Sequence, residues 1–212
     1  MSMVEVPFYS NTSDDSHCVQ AVFKMALRHF MPNKQITWKQ LDELSQKQPG
    51  KGTWWFPAVS KLNELGLKTR YIENFDYQQY YKLGDGYLIE FYGQQAGEWF
   101  MANSNILSVK HLIPEFLETG IIETRAPTMN DINNLLSEKW LVGVEVNVRV
   151  LQNKPGFNGH MILIYGHQND KYIAHDPGLP ALPSRHINKE IFNKAWSFNG
   201  TNKTALIAFN KV

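Results

Sequence analysis

A cysteine is a strong nucleophile only as its thiolate, so a catalytic cysteine needs a setting that lowers its pKa. The chain has one cysteine, Cys18. It opens a stretch in which Val19, Val22, Phe23, Ala26, Leu27 and Phe30 recur at helical spacing. The first turn of a helix presents unpaired N–H groups and the positive end of the helix dipole, both of which favour a thiolate. His160 opens an apolar run that reads as a strand. An imidazole there can serve as a general base at a cleft edge, given a partner that fixes its tautomer. Asp176, in His175-Asp176-Pro177-Gly178 just past the next strand, is the candidate for that partner. A helix-start cysteine, a strand-start histidine and a carboxylate one hairpin away match the Cys–His–acid logic of nucleophilic catalysis.

Each residue also has an ordinary structural reading. Cys18 continues the Val22 and Ala26 stripe, so a small buried hydrophobe fits the same pattern. Asp14 and Asp15 are anions that oppose a thiolate. A histidine at a strand end can hold its ring in solvent, and Asp-Pro-Gly is an ordinary turn sequence. The hairpin between the two strands bears on the choice. A three-residue loop at 168–170 makes Asp176 the diagonal neighbour of His160, and one at 167–169 puts them directly opposite. Directly opposite Cβ atoms are about 5 Å apart and diagonal ones about 7 Å. An even-numbered loop puts the two on opposite faces.

The elements that must hold these groups follow from period and punctuation. Cys18 to Phe30 reads as a helix, with Asp14, Asp15 and Ser16 as candidate N-caps and Pro32 as its stop. Thr37 to Gln48 and Pro57 to Glu64 read as two more helices, ended by Pro49-Gly50 and Gly66. The aromatic-rich middle, Tyr71 to Arg125, is expected to be helical. Thr128 to Lys139 reads as a helix, with Thr128 as cap and Asp131 completing a near capping box. From Leu141 the period changes to that of strands: Leu141 to Val150, His160 to His167, Lys171 to His175 and Thr204 to Phe209, with a short helix over Ile187 to Ala195. The expected fold is α+β, with N-terminal helices packed against a C-terminal antiparallel sheet. We expect one domain over residues 1–212, mainly helical over 1–127 and mainly sheet over 128–212.

Composition narrows the function classes. At 212 residues the chain suits one domain with a substantial core. With 43% apolar and 19% charged residues it reads as a globular protein. A net charge of +1 gives no field for nucleic acid or a membrane surface. No apolar run approaches the roughly 20 residues that span a bilayer. Met1 to Tyr9 lacks the pattern of a signal peptide, so a cytoplasmic protein is expected. A single cysteine excludes an internal disulfide and zinc sites built on cysteine clusters. No His-x-x-x-His or His-Glu-x-x-His spacing occurs, so neither a metal nor any other cofactor is expected.

A family resemblance joins these residues. Val6-Pro7-Phe8-Tyr9-Ser10, Cys18 at the start of an apolar helix, Gly159-His160 opening a strand, Tyr172-Ile173-Ala174-His175-Asp176-Pro177-Gly178, and a helix reaching Ala195-Trp196 together resemble the bacteriocin-processing, double-glycine-leader peptidase-like branch of the papain-like cysteine peptidases. The similarity covers most of the chain. Its most specific part is the pairing of the Gly-His strand with Tyr-x-x-x-Asp-Pro-Gly. The resemblance implies Cys18 as nucleophile, His160 as base, Asp176 as orienter and a peptide or amide substrate. It also implies a side-chain oxyanion donor upstream of the cysteine, usually a glutamine. This chain has Asn11 there, and Val19-Gln20 where the family usually has Gly-Pro.

Asn11 is the better candidate donor, because Gln20 lies beyond the first turn of the helix; Asn11 as a plain turn residue is the other reading. Trp54 and Trp55, with Phe56 after them, can line a substrate groove beside Gly159, although such aromatic clusters are more often core. The expected activity is hydrolysis of a peptide or amide bond through a thioester at Cys18. Acyl transfer uses the same constellation. A peptide-binding or regulatory domain without turnover is the contrasting class, suggested by the departures at 11, 19 and 20.

Overall fold

The computed structural model describes residues 5–197 and 204–212. Residues 1–4 of the Met1–Tyr9 stretch that reads as lacking a signal peptide lie outside them. The elements run α1 (Cys18–Phe30), α2 (Trp38–Leu44), α3 (Phe56–Glu64), β1 (Leu67–Glu73), α4 (Tyr77–Leu83), α5 (Asp85–Tyr92), α6 (Gln94–Asn103), α7 (Ile106–Val109) and α8 (Ile113–Glu118). The chain continues through β2 (Ile122–Thr124), α9 (Met129–Ser137), β3 (Leu141–Asn147), α10 (Val148–Leu151), β4 (Gly159–Gln168), β5 (Lys171–Asp176), β6 (Leu182–Asn188), α11 (Lys189–Trp196) and β7 (Ala205–Lys211).

The strands form one sheet in the order β2-β1-β7-β3-β4-β5-β6. All neighbouring pairs are antiparallel except β1 with β2. Both faces are covered, which is why β3, β4 and β7 are buried over runs of consecutive residues rather than on alternate ones. On β7, Ala205, Ile207 and Phe209 join the core under the N-terminal helices, while Leu206 and Ala208 join a second core with Ile132, Leu135, Phe192 and Trp196. Helix α1 crosses β4 and β7 on the first face; α9 and α11 cover β3 on the second. The architecture is therefore α+β, as the sequence indicates.

Several expectations are corrected. The mainly helical stretch 1–127 contributes β1 and β2 to the same sheet, so Tyr71 to Glu73 is strand and not helix. The final strands are not a simple meander, because β7 returns to lie between β1 and β3. The Ile187–Ala195 helix begins at Lys189, and Leu182–Asn188 before it is an edge strand. That strand carries Pro183 and is mostly exposed, so it has no alternation to read. The capping boxes at Thr37/Gln40 and Thr128/Asp131 do form. Asp14, Asp15 and Ser16 do not cap α1, whose N-cap is His17.

The β4–β5 hairpin also differs. Gln168 pairs with Lys171, leaving the two-residue turn Asn169-Asp170. Asn169 takes φ 53°, the left-handed conformation such turns require. An even loop alone would put His160 and Asp176 on opposite faces. A β-bulge at Tyr165 shifts the register by one, however, and from Ile164↔Ala174 and Leu163↔His175 onward the two residues share a face.

Candidate active site

Cys18 is the first residue of α1 and is half-buried. Burial pushes its thiol up, but hydrogen bonding to His160, the imidazole charge and the backbone N–H of Met161 outweigh this and hold it below its usual value. Asp15 opposes the thiolate only weakly. No acidic residue stands in the first turn of α1.

His160, the second residue of β4, is buried. Its Nε2 lies 2.7 Å from Asp176 Oδ1, which leaves Nδ1 for the thiol. Burial alone would discharge the ring, but Asp176 and Cys18 overcome it and keep the imidazolium well above the ordinary histidine range. Each group thus favours the charged form of the other.

Asp176 ends β5 and is buried. Its Oδ1 also accepts the Gly178 N–H at 3.0 Å, and its Oδ2 accepts from the Arg185 guanidinium at 2.7 Å. Burial opposes its charge, but His160, the Gly178 N–H and Arg185 hold the carboxyl down at about 2. Arg185 is fixed in turn by the Leu151 carbonyl, at 2.9 Å. Sequence reasoning missed Arg185 because β6, the strand that carries it, has no legible pattern.

The segment before α1 is pinned to the same corner. His175 donates from Nε2 to the Val6 carbonyl and accepts the Ser184 N–H at Nδ1, so its neutral tautomer is fixed by two bonds. The Asn11 N–H donates to the Pro177 carbonyl, 2.7 Å away. The Asn11 side-chain oxygen accepts the N–H of Thr12 and of His17, and its Nδ2 donates one hydrogen to Asp15 at 2.8 Å. Asn11 therefore braces the entry to α1 and retains one amide hydrogen, but it does not line the cavity beside Cys18. Gln20 is fully buried, and its amide donates to Ser45 and Thr53.

A cavity of about 40 Å³ opens beside Cys18 and His160 and is lined also by Trp54, Trp55, Trp99, Glu145 and Gly159. Trp54 and Trp55 are mostly core, each with an edge on this cavity. Trp54 is locked by its indole N–H on Ser104 and by contacts with Phe75, Tyr77 and Phe100. A Cβ at Gly159 would fall 2.6 Å from Glu145 Oε1 and 3.1 Å from Trp99, so only glycine leaves this wall open. Trp99 and Glu145 were not singled out in the sequence. Trp99 is positioned by α6, which presses on α5 at Gly97, where a Cβ would meet Ile89 and Leu88 backbone at 2.9 Å.

No protein-family model and no curated protein matches the chain. Among solved structures it resembles the peptidase domain of Streptococcus ComA, a bi-functional ABC transporter involved in a quorum-sensing pathway. The match has a TM-score of 0.52 and 18% identity, and spans 96% of this chain and 98% of that one. A double-glycine motif protease from an AMS/PCAT transporter, solved with its leader peptide, matches at a TM-score of 0.49 and 11% identity over 99% of this chain and 94% of that one. At the first of these similarities the fold is what the two chains share: this chain has the papain-like fold of the ComA peptidase domain.

Proposed function

We propose that the chain is a cysteine peptidase or amidase that cleaves through a thioester on Cys18. The observation that carries this reading is that Cys18 and His160 line one cavity while Asp176 holds the His160 ring at 2.7 Å, on a fold shared with a peptidase domain. The Cys18 thiolate attacks the scissile carbonyl, and the imidazolium gives its proton to the leaving amine. The resulting neutral imidazole then draws a proton from water as that water attacks the thioester, which frees the acid and regenerates the thiolate. Asp176 fixes the ring so that Nδ1 faces the sulfur. The backbone N–H at Cys18 and the remaining Asn11 amide hydrogen are the proposed oxyanion donors, and Trp54, Trp55 and Gly159 the proposed substrate-facing groups. A disulfide-free thiol enzyme suits a reducing cytoplasm.

The test is cleavage of a mixed peptide library followed by mass spectrometry, with Cys18→Ala as control. Products made by the wild type and absent from the folded mutant support the reading. Identical digests overturn it. A second reading, peptide binding without turnover on the same fold, is favoured by the tie of the Asn11 amide to Asp15. It requires library peptides to be retained but never cut.

A further inference from the structure

One wall of the Cys18 cavity is unexplained by the proposed triad. Glu145 stands on β3 directly across from Met161 on β4, and it lines the same cavity as Cys18 and His160. Glu145 is half-buried, and the buried carboxyls nearby are engaged. Asp176 holds His160, Arg185 and the Gly178 N–H. Glu73 takes the hydroxyls of Tyr71 and Tyr77 at 2.6 and 2.8 Å and that of Tyr92 at 3.4 Å. Among the described residues Glu145 has no hydrogen bond and no ion pair. Its Oε1 occupies the space that a side chain at Gly159 would fill, so the bare glycine gives the carboxyl access to the cavity beside the nucleophile.

Trp54, Trp55, Trp99 and Phe100 make up much of the rest of the wall, with the neutral hydroxyls of Thr53 and Ser104. Among the described residues no lysine or arginine lines it, and the His160 imidazole, which does, is committed to Asp176. Burial, then the charges of Glu73 and the Cys18 thiolate, push Glu145 up to about 8. That is the behaviour of a carboxyl short of a counter-cation. A carboxyl among aromatic rings supplies charge, acceptor oxygens and cation–π attraction to one kind of ligand group, an ammonium or guanidinium. The cavity, about 40 Å³, has room for roughly three waters on that measure, the scale of a cationic headgroup and too little for another aromatic ring.

We propose that Glu145 is a specificity-determining residue that receives the cationic side chain of a substrate lysine or arginine lying within two residues of the scissile bond on its acyl side. The proposal rests on the peptidase reading. It is tested with peptidyl acyloxymethyl ketones carrying lysine, norleucine, glutamate or glycine at the first or second residue from the warhead. The Cys18 thiolate displaces the carboxylate leaving group of these probes to form a thioether, read by intact mass. In the wild type, lysine at one of the two positions reacts at least about tenfold faster than norleucine and glutamate is slowest, as expected when an ion pair and cation–π contact are gained. In Glu145→Gln the lysine-to-norleucine ratio at that position falls toward one. The wild-type ranking stands as evidence by itself should the variant fail to fold. Equal rates across the wild-type panel, a preference for glycine, or an unchanged ratio in Glu145→Gln overturns the role of Glu145 while leaving the peptidase reading intact. No alkylation of Cys18 by any probe overturns both.

Discussion

Asp176 gives its two carboxyl oxygens different tasks: one holds His160, the other is held by Arg185. Asp176→Asn should therefore lower kcat by up to about 10⁴, the loss seen when the orienting acid of a serine-protease triad is made an amide; unchanged turnover removes Asp176 from the mechanism. Arg185→Met should raise the Asp176 pKa, because a charge that lowers it is gone. The acid limb of the rate profile should then move to higher pH, whereas an unmoved limb means that Arg185 only packs. Asn11 needs a subtler test, since its oxygen braces α1 while its nitrogen is the proposed donor. Exchanging the pair, Asn11→Asp with Asp15→Asn, keeps an acceptor for His17 and reverses the hydrogen bond. Loss of the oxyanion donor should lower kcat by about 10²–10³; full activity in the exchanged pair assigns Asn11 to bracing alone. The three residues proposed for the chemistry were legible because each sits at the start or end of an element with a clear period. Arg185 and Glu145 were not, because their significance is only positional: one lies on an unpatterned edge strand, the other on a strand that is otherwise apolar.

Among the elements, α1 carries the nucleophile and must stay fixed on the sheet. Phe23 is fully buried against Phe209, with ring centroids 5.9 Å apart. Phe23→Ala should destabilise the fold by about 3–5 kcal/mol, measured by denaturant unfolding; a loss below about 1 kcal/mol would mean that α1 is not anchored there. Apolar spacing made α1 readable from Cys18 to Phe30, and capping chemistry made the starts of α2 and α9 readable. The hairpin shows what local patterns do not carry. Its turn is even, yet the bulge at Tyr165 returns His160 and Asp176 to one face. A single extra residue inside an apolar run leaves no mark on composition or period. The partner of β1 was hidden for a related reason, since its pairing with β7 joins residues from opposite ends of the chain.

Across the whole molecule, two carboxyls, buried Glu73 and half-buried Glu145, resist ionising near neutral pH. Burial pushes Glu73 up to about 7, and burial with Glu73 pushes Glu145 up to about 8, from an ordinary value of 4.5. Between that value and about 8 the folded state holds more protons than the unfolded one, so stability falls as pH rises through this window. Glu145→Gln should flatten the decline in a series of chemical-denaturation curves; an equally steep fall in the mutant would exclude Glu145 as its source. Within the same molecule the Cys18–His160 pair gains from its setting, and its signature is separable from that of the carboxyls. The measurement that tests this most directly is the rate of Cys18 alkylation by iodoacetamide against pH, in the wild type and in His160→Ala. The wild type should show a reactive thiolate well below pH 8.5, the pKa of a free cysteine, and the mutant should lose it. Inflections at or above that value in both proteins would contradict this mutual support, and with it the assignment of Cys18 as a nucleophile.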